Sequence, residues 1–233
     1  MRGLFITATD TDVGKTWITS LIARELVRSG TRVGVYKPAC SGAERDGDGE
    51  FWPDLRSLGD ATGNAFSIDE MCPQRFRAPL APPVAAKREG RVVDAKLLRS
   101  GVEVFRDQDC VLVEGVGGLL CPMTDSHTIV DLAADLKFPL LVIARPNLGT
   151  INHTLLTLAT ARQRGLDVCG VVLNQASEAP VDSGFVASNA EQIERFGETQ
   201  VLAFCGHQSR QLVDCRTGAV IKTDWLSLCG CGE

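Results

Sequence analysis

The feature that most constrains the fold is a polar stretch near the N-terminus, Ala8-Thr9-Asp10-Thr11-Asp12-Val13-Gly14-Lys15-Thr16. The apolar run Leu4-Phe5-Ile6 before it predicts a strand, and residues 15–28 predict a helix. A strand, a tight loop and a helix that begins with Gly-Lys-Thr form a common cradle for phosphate groups. Backbone N–H groups and the helix N-terminus attract the anion, Lys15 adds positive charge, and the Thr16 hydroxyl can ligate Mg²⁺. The stretch therefore predicts a nucleotide-binding site.

Ala8 stands where a loop of this kind usually has glycine, which tolerates unusual dihedrals and a close approach of the ligand. The alternative is a glycine-bearing turn whose lysine is merely solvated. The predicted strand before the loop and the predicted helix after it favour phosphate binding.

Charged residues follow two other predicted strands. Lys37 comes directly after the run Arg32–Tyr36, and Glu114 follows the apolar run Cys110–Val113. Ligand-binding groups collect beyond the carboxyl ends of strands in doubly wound sheets. Lys37 is therefore a candidate contact for a transferred phosphate and Glu114 for magnesium, with a solvated lysine and a structural carboxylate as the alternatives. Asp54 opens a predicted helix, where an aspartate is most often an N-cap.

Two later loops also follow predicted strands. A helix predicted to begin at Thr150 has an N-terminus that can hold a carboxylate. His153 in its first turn is a candidate acid or base, and a structural hydrogen-bonding role is equally compatible with that position. Asn174 and Gln175 end the next strand, and an amide offers both a donor and an acceptor to the edge of a nucleotide base.

Predicted strands alternate with predicted helices, and most of the strands are uniformly apolar. This pattern favours an α/β fold with one doubly wound, mostly parallel sheet and helices on both faces. Since 233 residues suit one large α/β domain, we expect residues 1–233 to form a single domain of the phosphate-loop NTPase type. Residues 43–50 are predicted to form a mobile loop. The chain after about residue 206 carries weak signals, and Cys229-Gly230-Cys231 is expected to be a frayed tail.

The net charge of −5 does not favour binding to nucleic acid or to an anionic membrane, so we expect neither as a partner. No apolar run approaches membrane-spanning length. The nine cysteines lack the spacing of a zinc site, and several lie in apolar runs where a thiol behaves as a small hydrophobe. Without an N-terminal signal peptide, this cysteine usage predicts a cytoplasmic location rather than a disulfide framework.

Five short segments, spread over residues 4–175, carry a family resemblance. They are Thr9–Thr16, Tyr36-Lys37-Pro38 with Ser41-Gly42, Phe76 with Ala78-Pro79 and Pro82, Val113–Gly118, and Leu148–His153. Each segment is a weak signal alone, but in this order they are specific. Together they resemble the dethiobiotin synthetases of biotin biosynthesis.

The resemblance implies an ATP- and Mg²⁺-dependent ligase that closes a cyclic urea on 7,8-diaminopelargonic acid, with CO2 as the carbon source. One amine would form a carbamate, ATP would phosphorylate it, and the second amine would then expel phosphate. Lys37 and Lys15 would be catalytic, because phosphoryl transfer depends mainly on positioning and charge neutralisation. Thr16, Asp54 and Glu114 would hold the metal ion. The enzyme would be a homodimer with its substrate site at the interface.

The same resemblance assigns further residues to each ligand. Those implied for the nucleotide are Asp12, Val13, Gly14, Lys15, Thr16, Trp17, Asp54, Glu114, Gly115, Val116, Gly117, Asn174 and Gln175. Those implied for the substrate are Thr11, Lys37, Ser41, Gly149, Thr150, Ile151 and Asn152. One segment departs from the family, which usually has an Ile-Pro dipeptide after a late strand to sandwich the adenine. Residues 204–208, Phe-Cys-Gly-His-Gln, stand there instead and leave the base preference open.

Two related classes share this loop. Cobyrinate-type amidases usually append a glutamine-hydrolysing domain, for which we expect this chain to be too short. Nucleotide-switched partition ATPases act through a partner or a membrane, and they commonly have an extra lysine early in the loop and often a basic amphipathic tail. Residues 9–13 contain no lysine, and no such tail is present.

Overall fold

Six parallel strands form the main sheet of the computed structural model, which describes residues 1–47 and 49–231. In chain order the strands are β1 (Arg2–Ala8), β2 (Val33–Tyr36), β3 (Cys40–Ser41), β4 (Glu44–Asp46), β5 (Gly49–Phe51), β6 (Arg75–Phe76), β7 (Cys110–Glu114), β8 (Leu140–Ala144), β9 (Val168–Asn174), β10 (Val201–Cys205) and β11 (Gly230–Cys231). The main sheet has the order β10-β9-β8-β1-β7-β2, with β11 antiparallel to the start of β1. The predicted mostly parallel sheet is confirmed.

Helices cover both faces of this sheet. They are α1 (Lys15–Arg28), α2 (Pro53–Ala61), α3 (Ile68–Met71), α4 (Pro82–Arg88), α5 (Ala95–Ser100), α6 (Ile129–Leu136), α7 (Thr150–Gln163), α8 (Ser183–Gly197) and α9 (Trp225–Leu228), with a 3₁₀ helix at Gly101–Phe105. Successive strand residues point to opposite faces, so Leu4 and Ile6 belong to one buried cluster and Phe5 to the other. Burial on both faces explains why the strands are uniformly apolar.

The strand register decides which side chains meet at the carboxyl edge. Tyr36 of β2 pairs with Val113 of β7, and Ile6 of β1 pairs with Glu114. Lys37 and Glu114, the next residues along β2 and β7, therefore lie side by side at that edge, and the loop after β1 begins beside them. Three segments far apart in sequence are brought together by this register.

Residues 43–50, which were predicted to form a mobile loop, contain regular secondary structure. β4 and β5 form a short antiparallel hairpin in which Glu44 pairs with Phe51. The guanidinium of Arg56 lies 3.7 Å from the centre of the Phe51 ring and 2.7 Å from Asp46. These contacts link the hairpin to α2 and depend on long-range packing, which a short polar sequence does not reveal. Asp48 lies outside the described residues.

The expectation of a frayed C-terminal segment is also wrong for the described part of it. Gly230 pairs with Gly3 of β1, and Cys229 is buried. The Arg2 side chain donates hydrogen bonds to the carbonyl oxygens of Cys229 and Leu226. The segment is thereby held against the first strand, while residues 232–233 and the Cys231 side chain lie outside the description.

Three further expectations concern membrane spans, cysteines and domain organisation. None of the helices among the described residues combines the length and apolar character needed to cross a membrane. All eight cysteines whose side chains are described are free thiols. That residues 1–233 form a single domain stays a prediction.

Trp225 anchors the C-terminal segment and offers a test of its contribution to stability. Its side chain is buried, and the indole N–H donates to the Glu25 carboxylate of α1 at 3.0 Å. We expect Trp225→Ala to lower the free energy of unfolding by about 3–5 kcal/mol, because it empties a large buried site. Trp225→Phe keeps most of the packing and should cost about 1–2 kcal/mol.

Urea unfolding followed by circular dichroism measures these losses. Val220→Ala is the matched control, because Val220 is exposed in the same region and its truncation should change stability by less than about 0.5 kcal/mol. A Trp225→Ala protein as stable as the control would show that this segment does not stabilise the fold.

Candidate active site

The loop between β1 and α1 has the backbone of a phosphate cradle. Gly14, the N-cap of α1, has a φ of 90°, and Asp12 has a φ of 56°. These left-handed positions turn the chain into a 14-residue helix, whose first N–H groups have no intrahelical acceptor. The loop is braced from outside by Arg145, which donates to the Thr11 carbonyl oxygen at 2.8 Å. The helix N-terminus and the Lys15 charge together favour an anion here.

The structure explains why Ala8 can stand at the first position of the loop. Ala8 is the last residue of β1, is fully buried, and pairs with Ile143 of β8. Its backbone is that of an ordinary strand residue, so it does not need the freedom of glycine. The turn begins later, at Asp12 and Gly14. Ala8 is therefore compatible with a working phosphate loop.

Lys37 is the centre of a buried ionic cluster beside this loop. Its ammonium nitrogen lies 2.6 Å from Oδ2 of Asp54 and 2.5 Å from Oε1 of Glu114. The Thr16 hydroxyl donates to the same Glu114 oxygen at 2.6 Å. The side chains of Lys37 and Glu114 are buried, whereas that of Asp54 is 43% exposed. The fold thus brings together four of the residues implied by the family resemblance.

Asp54 does not act as the helix cap that its position in the sequence suggested. The N-cap of α2 is Trp52, Pro53 occupies the first helical position, and Asp54 follows it. Its carboxylate turns to Lys37, 17 residues earlier in the chain. Asp54 therefore forms an ion pair with Lys37 instead of capping the N-terminus of α2.

The ionic cluster keeps opposite charges on these groups. Burial alone would lower the pKa of the Lys37 ammonium, but the carboxylates of Glu114 and Asp54 raise it well above the ordinary lysine value. Burial would raise the pKa of Asp54, and the neighbouring Lys37 charge brings it below its usual range. The pKa of Lys15 is lowered by burial and by the like charge of Lys37. Removing one member would strand a buried charge, which commonly costs about 3–5 kcal/mol.

These groups surround a cavity of about 460 Å³. Its lining residues include Thr11, Asp12, Gly14, Lys15, Thr16, Lys37, Cys40, Ser41, Asp54, Pro79, Leu80, Ala81, Val116, Gly117 and Cys121. This cavity is thus lined by the phosphate loop, by both lysines and by a carboxylate. Cys40, Leu80, Ala81 and Cys121 were not among the sequence candidates, since apolar residues and thiols give no signal of their own. Arg145 could have been noticed, because it directly follows β8.

Other implied residues lie elsewhere. Val13 and Gly115 are buried beside the cavity, and the Gly115 N–H donates to the Ile6 carbonyl oxygen. Gly149 is the N-cap of α7, which carries Thr150, Ile151 and Asn152. That helix borders a second cavity, of about 310 Å³, lined in part by Asp10, Leu120 and His153. Residues 149–152 themselves line neither this cavity nor the one that holds the lysines.

A third, smaller cavity of about 130 Å³ adjoins the start of α1. It is lined by Gly14, Trp17, Asn174, Gln175, Ala176, His207 and Gln208. The Trp17 indole donates to the Ser209 carbonyl oxygen at 3.0 Å, which holds the 206–209 turn over this cavity. The Asn174 amide donates to the Val13 carbonyl oxygen at 2.8 Å, so Asn174 also supports the phosphate loop.

The donor set around Lys37 suits a small hard cation. Thr16, Asp54 and Glu114 offer oxygen ligands, which Mg²⁺ prefers, and oxygen Oε2 of Glu114 is buried without a partner among the described residues. The described chain contains no cluster of three or more His, Cys, Asp or Glu side chains placed to hold a metal. Mg²⁺ is commonly bound through one or two carboxylates and the phosphates of its nucleotide, so these residues fit such an ion.

Fold and site together define a phosphate-loop nucleotide-binding protein. A family model described as an AAA domain matches residues 2–207. The chain has 15% identity to the solved MinC:MinD cell division complex of Aquifex aeolicus, with a TM-score of 0.55 over 91% of this chain and 84% of that one. This likeness supports the fold alone.

Proteins of similar sequence identify the family within this class of nucleotide-binding proteins. The ATP-dependent dethiobiotin synthetase BioD of Rhodopirellula baltica is 38% identical over 90% of this chain and 86% of its own length. The enzyme of the same name from Bacillus cereus strain B4264 is 42% identical over 87% of this chain and 82% of its own. The chain belongs to the ATP-dependent dethiobiotin synthetase family.

Gly14 provides a test of the phosphate loop. A Cβ atom at this position would lie 2.1 Å from the Asn174 amide nitrogen, and a φ of 90° is unfavourable for alanine. We expect Gly14→Ala to weaken ATP binding at least about tenfold in calorimetric titrations with Mg²⁺, because the loop must deform. Gly118→Ala is the matched control, since its Cβ would make only ordinary contacts, the nearest at 3.4 Å. Equal ATP affinity of the two variants would rule out this loop as the nucleotide site.

Proposed function

We propose that this protein catalyses the ATP-dependent carboxylation and ring closure of 7,8-diaminopelargonic acid with CO2 to form dethiobiotin. One observation carries the proposal: Lys15, Thr16, Lys37 and Asp54 line one cavity at the phosphate loop, and the buried Glu114 contacts Thr16 and Lys37. Neither the amidase nor the partition ATPase alternative is supported by the two relatives named above.

The reaction requires a new carbonyl bridge between two amines. One amine adds to CO2 and loses a proton, which gives a carbamate. The γ-phosphoryl group of ATP passes to a carbamate oxygen, leaving ADP, and makes that oxygen a good leaving group. The second amine then attacks the carbonyl carbon and expels phosphate, which closes the five-membered urea ring. Every step moves negative charge between oxygens, so the protein must chiefly position and neutralise.

The ionic cluster suits these requirements. Lys15, at the first residue of α1, contacts the transferred phosphate, and the loop backbone with Asp12, Gly14 and Thr16 cradles the remainder. Lys37 stabilises charge on the carbamate and on the phosphoryl group in transit. Thr16, Asp54 and Glu114 would hold Mg²⁺, which would neutralise phosphate charge when bound.

We assign the remaining residues either to the nucleotide base or to the diamine substrate. Asn174 and Gln175 line the small cavity beside Trp17, and we assign this cavity to the nucleotide base. His207 and Gln208 line it in the place of the usual Ile-Pro pair, so it offers polar groups where the family has apolar ones. Thr11, Ser41, Val116 and Gly117 all line the cavity that holds the lysines. We assign Val116 and Gly117 to the nucleotide and Thr11 and Ser41 to the diamine.

The substrate carboxylate is assigned to the N-terminus of α7, at residues 149–152, of a second copy of the chain. Residues 149–152 do not line the cavity that holds the lysines, so one copy of the chain does not bring the two halves together. Leu120, Leu148 and Leu156 are exposed around the N-terminus of α7, at 60%, 92% and 60%. Exposed apolar groups of this kind are typical of an interface. We also assign the enzyme to a reducing cytoplasm, in keeping with the free thiols of the described cysteines.

The function is tested by measuring phosphate release with ATP and Mg²⁺. Release should require diaminopelargonate and bicarbonate together, and mass spectrometry should detect dethiobiotin in equal amount. Lys37→Ala should lower turnover at least about a hundredfold while ATP still binds, because an essential charge is lost. Lys87→Ala, an exposed lysine on α4, is the control that should retain full turnover. Phosphate release without both substrates would contradict the proposal.

The dimer is tested separately. Sedimentation velocity should give twice the chain mass of 25.0 kDa. Leu156→Glu places a charge on the exposed apolar surface of α7 and should produce monomers, because burying an unpaired charge opposes association. Val92→Glu changes an exposed apolar residue elsewhere and should leave the dimer intact. A monomeric wild-type protein with full activity would exclude a shared substrate site.

A further inference from the structure

Lys37 occupies the space between the carboxylates that are candidates for the metal. Its ammonium lies 2.6 Å from Asp54 Oδ2 and 2.5 Å from Glu114 Oε1, and its side chain is 4% exposed. The Thr16 hydroxyl donates to the same oxygen of Glu114. All three proposed metal ligands are thus gathered around a cation that belongs to the protein.

Two cations cannot share this oxygen set as it stands. Mg²⁺ binds its oxygen ligands at about 2.1 Å and demands near-octahedral geometry. An ammonium already 2.5 Å from Glu114 Oε1 would then lie close to the ion, where like charges repel strongly in a buried site. Oxygen Oε1 of Glu114 therefore accommodates only one of the two cations at a time.

Glu114 shows where the exchange can take place. Oxygen Oε1 carries both the lysine and the threonine contact, whereas Oε2 is buried and without a partner among the described residues. A buried carboxylate oxygen without a partner is costly. Departure of the ammonium would free Oε1, so that both oxygens of this carboxylate become available to the cation that replaces it.

The cavity offers space for the Lys37 ammonium once it leaves the carboxylates. It lines the main cavity, and Lys15 lies on the same cavity next to the phosphate loop. A lysine on a four-carbon stem can move its charge by rotation about several bonds. The ammonium can therefore turn from the carboxylates into the space assigned to the carbamate and the phosphoryl group.

We propose that Lys37 and Mg²⁺ are alternative cations of the Asp54–Glu114 pair. In the metal-free enzyme Lys37 holds the pair together, and on metal binding its ammonium is released into the cavity. Metal loading thereby delivers the charge that the reaction needs. This proposal rests on the proposed function for its catalytic meaning, but the cation exchange itself requires no organic substrate.

Titration with Mg²⁺ alone, without nucleotide, tests the exchange by isothermal calorimetry. Lys37→Met removes the competing charge at nearly constant length, so Mg²⁺ should bind at least about tenfold more tightly, the factor of one charge-assisted hydrogen bond. Lys15→Met is the matched control. It removes a charge from the same cavity that forms no bond to either carboxylate, and it should change the affinity by less than about threefold.

Unchanged or weaker Mg²⁺ binding by a folded Lys37→Met protein would overturn the proposal. If that variant does not fold, crystals of the wild-type protein grown without metal and soaked in Mg²⁺ alone decide the question. The Lys37–Glu114 separation should increase beyond about 4 Å, the limit of an ion pair. A retained ammonium–carboxylate contact beside a bound ion would overturn it equally. Neither measurement involves diaminopelargonate. The cation exchange can therefore be confirmed or overturned even if the assay for dethiobiotin synthesis fails.

Discussion

The site depends on a lysine ammonium buried between two carboxylates. Lys37, Asp54 and Glu114 come from three separate segments, and the buried charges of Lys37 and Glu114 would each be unfavourable alone. Opposite charge makes the burial tolerable, and the Thr16 hydroxyl joins the cluster to the phosphate loop. The charged groups proposed for phosphoryl transfer are consequently held together by the protein itself, which lowers the cost of organising them.

This arrangement in turn depends on the parallel register of β1, β7 and β2. Because Tyr36 pairs with Val113 and Ile6 with Glu114, three strand ends present their polar residues at one edge. The strands themselves are apolar and covered on both faces, so the edge is where polar side chains can collect. A shift of one residue in either pairing would point Glu114 into the opposite core.

Much of this site was predictable from local sequence. Lys15 and Thr16 stand in a recognisable loop, and Lys37 and Glu114 each follow an apolar strand, so their meeting at one edge follows from the rules of parallel sheets. The role of Asp54 was harder to predict, because an aspartate at the start of a helix is most often an N-cap. Its pairing with Lys37, 17 residues earlier, is visible only in the structure. The 44–51 hairpin and the pairing of Gly230 with Gly3 were missed because their stabilising partners lie far away in the chain.

The fold class, the phosphate loop and the family could be inferred from the amino-acid sequence, because each is carried by contiguous residues with a characteristic pattern. The three-dimensional structure was needed to show that Ala8 is an ordinary strand residue, that the glycine-dependent turn begins at Asp12 and Gly14, and that Lys37 bridges both carboxylates. These properties depend on backbone dihedrals and on distances between segments. A linear pattern specifies neither, because both are set by the packing of the sheet and the helices around it.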